Sequence, residues 1–327
     1  MGFPVMRLRR LRQTEPLRRM VRESKLGIDD LIYPMFVVHG FDIKKEINSL
    51  PDNYHLSIDK LIEECKQIYD LKIPAILLFG LPKKKDETAS EAYNPQGIVP
   101  QAIRAIKTAV SDLIVIADVC FCGYTSHGHC GILKNGYLDN DLTLNLLRKS
   151  TLSYAEAGAD ILAPSPMLDG MVKVMREVLD ENGYQNVLIM PYSAKYASNL
   201  YYPFFKEGTQ SVVSFGDKKT HQMDYANANE ALREVALDIE EGADIIIVKP
   251  AITYLDVVYR IKEKFNIPVA VYSVSGEYAM IKFAGKKRII DSDAVMLEFL
   301  TSYKRAGADL IITYYAKRLA QILNENN

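Results

Sequence analysis

The sequence has 327 residues, 48% of them hydrophobic, ample for a large core and long enough for two domains or for one α/β barrel. Lys and Arg number 40 against 41 Asp and Glu, a formal net charge of −1, which excludes a chain that binds nucleic acid through bulk charge. No apolar run approaches the roughly 18 residues that cross a bilayer, which excludes a spanning helix.

The chain opens on an Arg-rich stretch, 6–25, that has no apolar core and carries Glu15 and Glu23. A secretory signal does not look like this. The stretch reads as an exposed arm on a cytoplasmic protein, with an organelle transit peptide as the alternative. Beyond it, short apolar runs alternate with amphipathic stretches. The predicted strands are 31–38, 75–79, 113–119, 160–165, 186–193, 244–249, 268–275 and 309–315. Several are apolar at nearly every position, as strands buried on both faces of a parallel sheet are. Predicted helices lie between them at 58–71, 100–109, 142–157, 170–182, 227–241, 254–265 and 294–306. A Gly-Ala-Asp echo recurs at 158–160, 242–244 and 307–309, each time between a helix and a strand. Its glycines suit the left-handed position that closes a helix. Eight strands with intervening helices give a (β/α)₈ TIM barrel over 31–327 with an N-terminal arm over 1–30; a doubly wound open sheet is the runner-up.

Three features offer chemistry, all at predicted strand ends, where barrel enzymes keep their sites. Lys249 ends an apolar strand. Desolvation there disfavours the ammonium form, lowers its pKa and leaves an amine able to attack a carbonyl. The competing reading is a lysine that snorkels to solvent. Lys195, at the end of the preceding strand, favours the first reading: two ammonium groups at one mouth repel, so each depresses the other's pKa. The third feature is the loop 118–131, with Cys120, Cys122, His127, His129 and Cys130. Three thiolates can converge on one zinc ion and leave its fourth position for substrate or water, the catalytic pattern. His127 or His129 could instead complete a closed structural site, and a loop without metal is the third possibility. A disulfide scaffold is not expected in so large a chain with nothing marking it as secreted. Ser165, Ser275, Tyr314 and Tyr315 also fall at strand ends.

These motifs together resemble the porphobilinogen synthase (5-aminolevulinate dehydratase) family over almost the whole chain. They comprise the Arg-rich start, Leu31-Ile-Tyr-Pro34, the stretch from Asp118 to Cys130, Tyr192-Ser-Ala-Lys195, Phe215-Gly-Asp217, Val248-Lys-Pro250, Val274-Ser-Gly-Glu277 and Ile311-Ile-Thr-Tyr-Tyr315. The resemblance implies condensation of two 5-aminolevulinate molecules into a pyrrole in tetrapyrrole (heme) biosynthesis, and an arm that wraps a neighbouring subunit in a homo-octamer. It implies a Schiff base on Lys249 with Lys195 as its partner or as a second imine. Cys120, Cys122 and Cys130 would hold the zinc of the cysteine-rich branch. Asp118 and Ser165 would line the second substrate's site, and Ser275 and Tyr314 would grip the first substrate's carboxylate. Lys206, Lys218 and Gln222 fall at substrate-binding positions, and Glu234 at an allosteric magnesium site. The chain departs from the family pattern at Gly123, Pro166, Met171 and His221, and has Lys206 and Lys218 at basic positions, the first where arginine is usual. A lysine there pairs with a carboxylate but lacks the bidentate fork. Two rivals follow: a class I aldolase, against which the cysteines argue, and a catalytically impaired or regulatory paralogue.

Overall fold

A computed structural model describes residues 2–201 and 206–325. In chain order the strands are β1 (Leu31–Val38), β2 (Lys44–Ile47), β3 (Leu50–Leu56), β4 (Ala75–Leu81), β5 (Ile114–Val119), β6 (Leu133–Lys134), β7 (Tyr137–Leu138), β8 (Ile161–Pro164), β9 (Leu188–Ile189), β10 (Ala194–Lys195), β11 (Ile246–Lys249), β12 (Val269–Ser273) and β13 (Leu310–Thr313). The α-helices are α1 (Glu15–Met20), α2 (Ile58–Asp70), α3 (Ile98–Ala109), α4 (Asn140–Glu156), α5 (Met171–Glu181), α6 (Asn229–Glu240), α7 (Leu255–Lys264), α8 (Ser275–Lys286), α9 (Ser292–Ala306) and α10 (Ala316–Glu325).

The parallel strands pair in the order β10-β11-β12-β13-β1-β4-β5-β8-β9. β9 and β10 are two ends of one run, 188–195, so the sheet closes. Met190 and Tyr192 donate backbone N–H groups to Leu162 and Pro164 on one side; Pro191 accepts from Ile247 on the other. The predicted strand 186–193 is therefore split and displaced. Pro191 has no N–H to give its neighbour, and regular pairing resumes at Ala194. The result is the expected (β/α)₈ barrel, not the open sheet. β1 is buried from Leu31 to Val37, as a strand covered on both faces must be. Around it the helices bury one stripe each: α3 buries Ile98, Ala102 and Ile106, at successive turns, the spacing that puts side chains on one face.

The Gly-Ala-Asp echo has a mechanical explanation. Gly158, Gly242 and Gly307 take φ of 96°, 105° and 108°, the left-handed turn that lets a helix reverse into a strand. The aspartate that follows reaches across the sheet. Asp160 accepts the Val115 N–H, Asp244 the Ile189 N–H and Asp309 the Val269 N–H, each at 2.8 Å. Lys107 and Lys262 pair with Asp160 and Asp309 at 3.0 and 2.6 Å. Each unit thus ties the base of one strand to its neighbour.

One further prediction is corrected, and some elements are new. Ser275 does not end a strand: β12 stops at Ser273 and Ser275 opens α8. The helices α8 and α10 and the antiparallel pair β2–β3 were not predicted from the pattern. α8 carries glycines at 276 and 285 and buries its first turn, Ser275 to Ala279, which blurs the helical period. At the N-terminus, α1 buries no residue, and Phe3 and Met20 are each 79% exposed. No helix among the described residues is long and apolar enough to cross a membrane.

Candidate active site

The C-terminal ends of the barrel strands open into two adjoining cavities. Phe79, Tyr201, Thr209 and Lys249 line both. The larger is walled by Asp118, Cys120, Cys122, Ser165, Lys195, Lys218 and Gln222, the smaller by Tyr272, Ser275 and Tyr314. Most of the residues singled out from the sequence are thereby gathered into one double pocket with Lys249 in the shared wall.

The two lysines are brought together by strand register. Lys195 and Lys249 are direct partners in the parallel pair β10–β11, so their side chains leave the sheet on the same face. Both are buried. Lys195 donates to the Ser165 carbonyl at 2.5 Å. The Lys249 Nζ lies 4.3, 4.9 and 5.1 Å from the ring centres of Tyr272, Tyr201 and Tyr192. Lys195 shares the Tyr192 ring, at 5.3 Å. Burial first, and then the charge of Lys195, lower the Lys249 pKa to about 7, against the opposing pull of Asp118. Burial raises Asp118 to about 6, and the two lysines resist that rise. Among the described residues its Oδ1 and the Tyr192 hydroxyl meet no partner at full hydrogen-bond geometry, and the two side chains lie close enough to influence each other.

Cys120, Cys122 and Cys130 are buried, with sulfurs within 4.8 Å of one another. The Cys120 and Cys122 sulfurs are 3.4 Å apart. Hydrogen bonds from Cys120 and Cys130 pull the Cys122 pKa well below the ordinary thiol value, and Lys218 and Lys195 add their charge. Burial works against the Lys218 ammonium, but the sulfurs outweigh it and its pKa rises. A soft, partly ionised sulfur trio suits a thiophilic divalent ion. The cluster does not include the histidines. His129 uses its Nε2 on the Phe215 carbonyl at 3.1 Å and packs tilted against that ring with centres 4.9 Å apart. Ser214 donates its N–H to the His127 carbonyl at 3.0 Å. Both histidines so hold the segment around Phe215 over the cysteine loop.

The remaining predicted positions divide. Gln222 accepts from Tyr201 at 2.8 Å in the wall of the larger cavity. Tyr314 meets the Tyr272 hydroxyl at 3.1 Å. Lys206 is not brought to either cavity: it is exposed, on a segment pinned to β3 and its turn by Glu207, which accepts from the Ser49 N–H, and by Gly208, whose carbonyl meets His55. Glu234 lies on α6 in a surface hollow on the far side of Gln222 from the larger cavity, with Asp169, His221 and Glu230. Burial and then those two acids raise its pKa; it makes no ion pair with a described residue. Pro166 and Met171 are buried but line neither cavity, whereas Gly123 does. His221 is packed near Lys195 and Lys218, and burial, then their charges, push it down to about 3.

Sequence reasoning did not single out Phe36, Phe79, Thr209, Tyr201 or Tyr272. Tyr192 stood inside a quoted motif, but nothing in the pattern showed that its ring lies under both lysines. Aromatic residues at strand ends read as core, and only the closed barrel turns them toward the amines.

The fold and the site together define a (β/α)₈-barrel protein with an amine-lined double pocket at its C-terminal mouth. The family model described as "Delta-aminolevulinic acid dehydratase" matches residues 5–322. The protein of that name from Synechocystis sp. is 54% identical over 99% of this chain and all of its own length. The one from Helicobacter pylori is 53% identical over 98% of this chain and 99% of its own. A solved structure of the Toxoplasma gondii protein, described as delta-aminolevulinic acid dehydratase (porphobilinogen synthase) in complex with the product porphobilinogen, superposes with a TM-score of 0.96 at 42% identity. It covers 98% of this chain and 92% of its own. The chain belongs to the delta-aminolevulinic acid dehydratase family and is an enzyme of the hydro-lyase class. Family membership removes the class I aldolase alternative.

Proposed function

We propose that this chain condenses two molecules of 5-aminolevulinate into porphobilinogen, with loss of two waters, beginning with an imine on Lys249. The observation that carries this reading is the position of Lys249 in the wall common to two adjoining cavities. A two-substrate condensation needs one activated molecule within reach of a second site. The Lys249 amine attacks the ketone carbon of the first substrate. The carbinolamine then loses its oxygen as water, leaving a C=N bond that acidifies the neighbouring carbon.

Lys195 keeps Lys249 neutral through its charge, or forms a second imine with the other substrate. Ser275 and Tyr314 grip the first carboxylate; Asp118, Ser165, Lys218 and Gln222 line the second site. Of the two lysines expected at carboxylate-binding positions, Lys218 stands in that wall and Lys206 outside it. Cys120, Cys122 and Cys130 would hold zinc, which supplies a Lewis acid that polarises a substrate oxygen. The sulfur donor set, buried at the cavity wall, supports zinc over a hard cation. Glu234 would hold a magnesium ion that favours the larger assembly. The arm over 1–30 would wrap a second subunit of a homo-octamer, which its exposed Phe3, Leu8 and Met20 support. The setting is the cytoplasm.

The test is direct. Pure protein given 5-aminolevulinate should form a pyrrole, more with added zinc than after chelation. Borohydride added during turnover should leave an adduct that peptide mass spectrometry places on Lys249. An adduct only on other residues would sink the assignment.

A further inference from the structure

The Val274-Ser-Gly-Glu-Tyr278 segment contributes one described cavity-lining side chain after Val274, that of Ser275. The next two residues point elsewhere and are just as constrained. Gly276 donates its N–H to the Leu200 carbonyl at 2.7 Å. A Cβ added at 276 would stand 2.0 Å from that oxygen, so only glycine admits the contact. Glu277 is fully buried, at 0% exposure. Its Oε1 accepts the backbone N–H of Ala251 at 3.0 Å and of Ile252 at 3.3 Å. Its Oε2 accepts the Tyr303 hydroxyl at 2.6 Å. The carboxyl therefore bridges α8, α9 and the two residues that follow Lys249-Pro250.

A buried carboxyl is costly unless its oxygens are satisfied. The described partners of this one are hydrogen-bond donors, and two are the first N–H groups of the chain after β11. Lys249 is held at its own carbonyl by the Tyr196 N–H; Pro250 has no N–H of its own, so Ala251 and Ile252 are the first backbone donors beyond it through which the following turn can be held. Two residues upstream on the same turn sits Ser275. We infer that Glu277 is a positioning residue for the reaction: it holds the turn after Lys249 and fixes the distance between that amine and the Ser275 wall. The inference rests on Lys249 being the imine-forming lysine. It adds that the amine's placement is set from behind, by a carboxyl that touches no substrate.

The geometry distinguishes two roles for Glu277, and two substitutions separate them. Glu277→Gln keeps the side-chain length. Its amide oxygen still accepts from Ala251 and Ile252, and its NH₂ donates to the Tyr303 oxygen, which can reverse its role. Glu277→Asp keeps the carboxyl group but is one methylene shorter and withdraws from the turn. The experiment is single-turnover imine formation with 5-aminolevulinate, trapped by borohydride and quantified on the Lys249 peptide. Rates are expressed per folded subunit of matched zinc content, for the full-length wild type, both variants and Lys249→Ala. Positioning predicts that Glu277→Asp slows trapping by about tenfold or more, since displacements near 1 Å cost up to about a hundredfold. It also predicts that Glu277→Gln stays within about threefold of wild type, well inside that loss. A scaffold role alone would lower the melting temperature of both while leaving the rate per folded subunit unchanged. Equal rates for wild type and Glu277→Asp, or Glu277→Gln slower than Glu277→Asp, overturn the inference. If the wild type itself gives no adduct on Lys249, it is the imine reading that fails.

Discussion

At the N-terminal end of the barrel, Asp160, Asp244 and Asp309 each accept a neighbouring strand's N–H, and two of them also pair with lysines. At the C-terminal mouth, Lys195, Lys249 and Asp118 are crowded into a double pocket. The same repeating unit produces both ends, yet charge is placed oppositely. At the base the lysine–aspartate pairs keep partial access to water, with Lys262 and Asp309 36% and 41% exposed, and the backbone hydrogen bonds define register. At the mouth, two buried lysines share the Tyr192 ring and are dehydrated. The base is arranged for stability; the mouth gives up stability for a reactive amine, as functional sites do.

The comparison breaks most sharply at Lys249. Lys249→Met should reduce pyrrole formation by more than about four orders of magnitude, the scale seen when a covalent nucleophile is lost. The variant should melt no lower than wild type, because an apolar side chain replaces a buried amine repelled by Lys195. Calorimetry beside the activity assay checks both halves. A large drop in melting temperature would show the mouth to be structural.

Next in size is the cysteine trio. Cys122→Ala should lose the zinc found by elemental analysis and most of the activity, while the fold persists. In the wild type, zinc affinity should weaken toward acid pH because thiolates bind the ion. A metal-free triple cysteine variant with full activity would refute the role.

The lysine's pKa sharpens the contrast through pH. In the unfolded chain Lys249 takes its proton near 10.4; in the fold its pKa is lowered to about 7. Between those values the unfolded state binds the extra proton, so stability rises with pH across the window. The cost is fully present below about 7 and gone above the unfolded value. Subtracting the Lys249→Met unfolding curve from that of wild type should isolate this slope. Imine formation should rise over the same lower limb, since only the free amine attacks.

A smaller effect is expected at the base. Asp309→Ala leaves the Val269 N–H without its acceptor and should cost about 1–3 kcal/mol. The partly exposed pair with Lys262 adds little. Below the melting temperature kcat/KM should be unchanged; a rate loss would show that the base does influence the mouth. Smallest is Glu234→Ala, which should remove any gain in assembly size and rate that magnesium gives the wild type. Sedimentation and activity with and without magnesium test it, and four identical results would discard that site.

Much of this was legible in the residues. The two strand-end lysines, the cysteine trio and the Gly-Ala-Asp echo could be read from apolar runs and spacing, because burial on both faces and helix closure leave local marks. Ser275 was recognised but put at a strand end, since two glycines and a buried first turn hide the start of α8. Lys206 and Lys218 looked alike in the chain; the segment pinned to Ser49 and His55 keeps the first outside, while the sulfurs hold the second within.

The sequence by itself determined the kinds of groups available, the alternation that makes a closed barrel, and the end of the barrel at which chemistry gathers. Only the tertiary structure decided which groups meet. The partnering of Lys195 with Lys249, the ring beneath both, the Asp118 carboxyl near the two amines, and the carboxyl of Glu277 behind the Lys249 turn all join residues far apart in the chain. Their proximity follows from strand register and closure, and so do the depressed amine pKa and the divided pocket. Local pattern records which face a residue buries; it carries no record of what lies across the barrel.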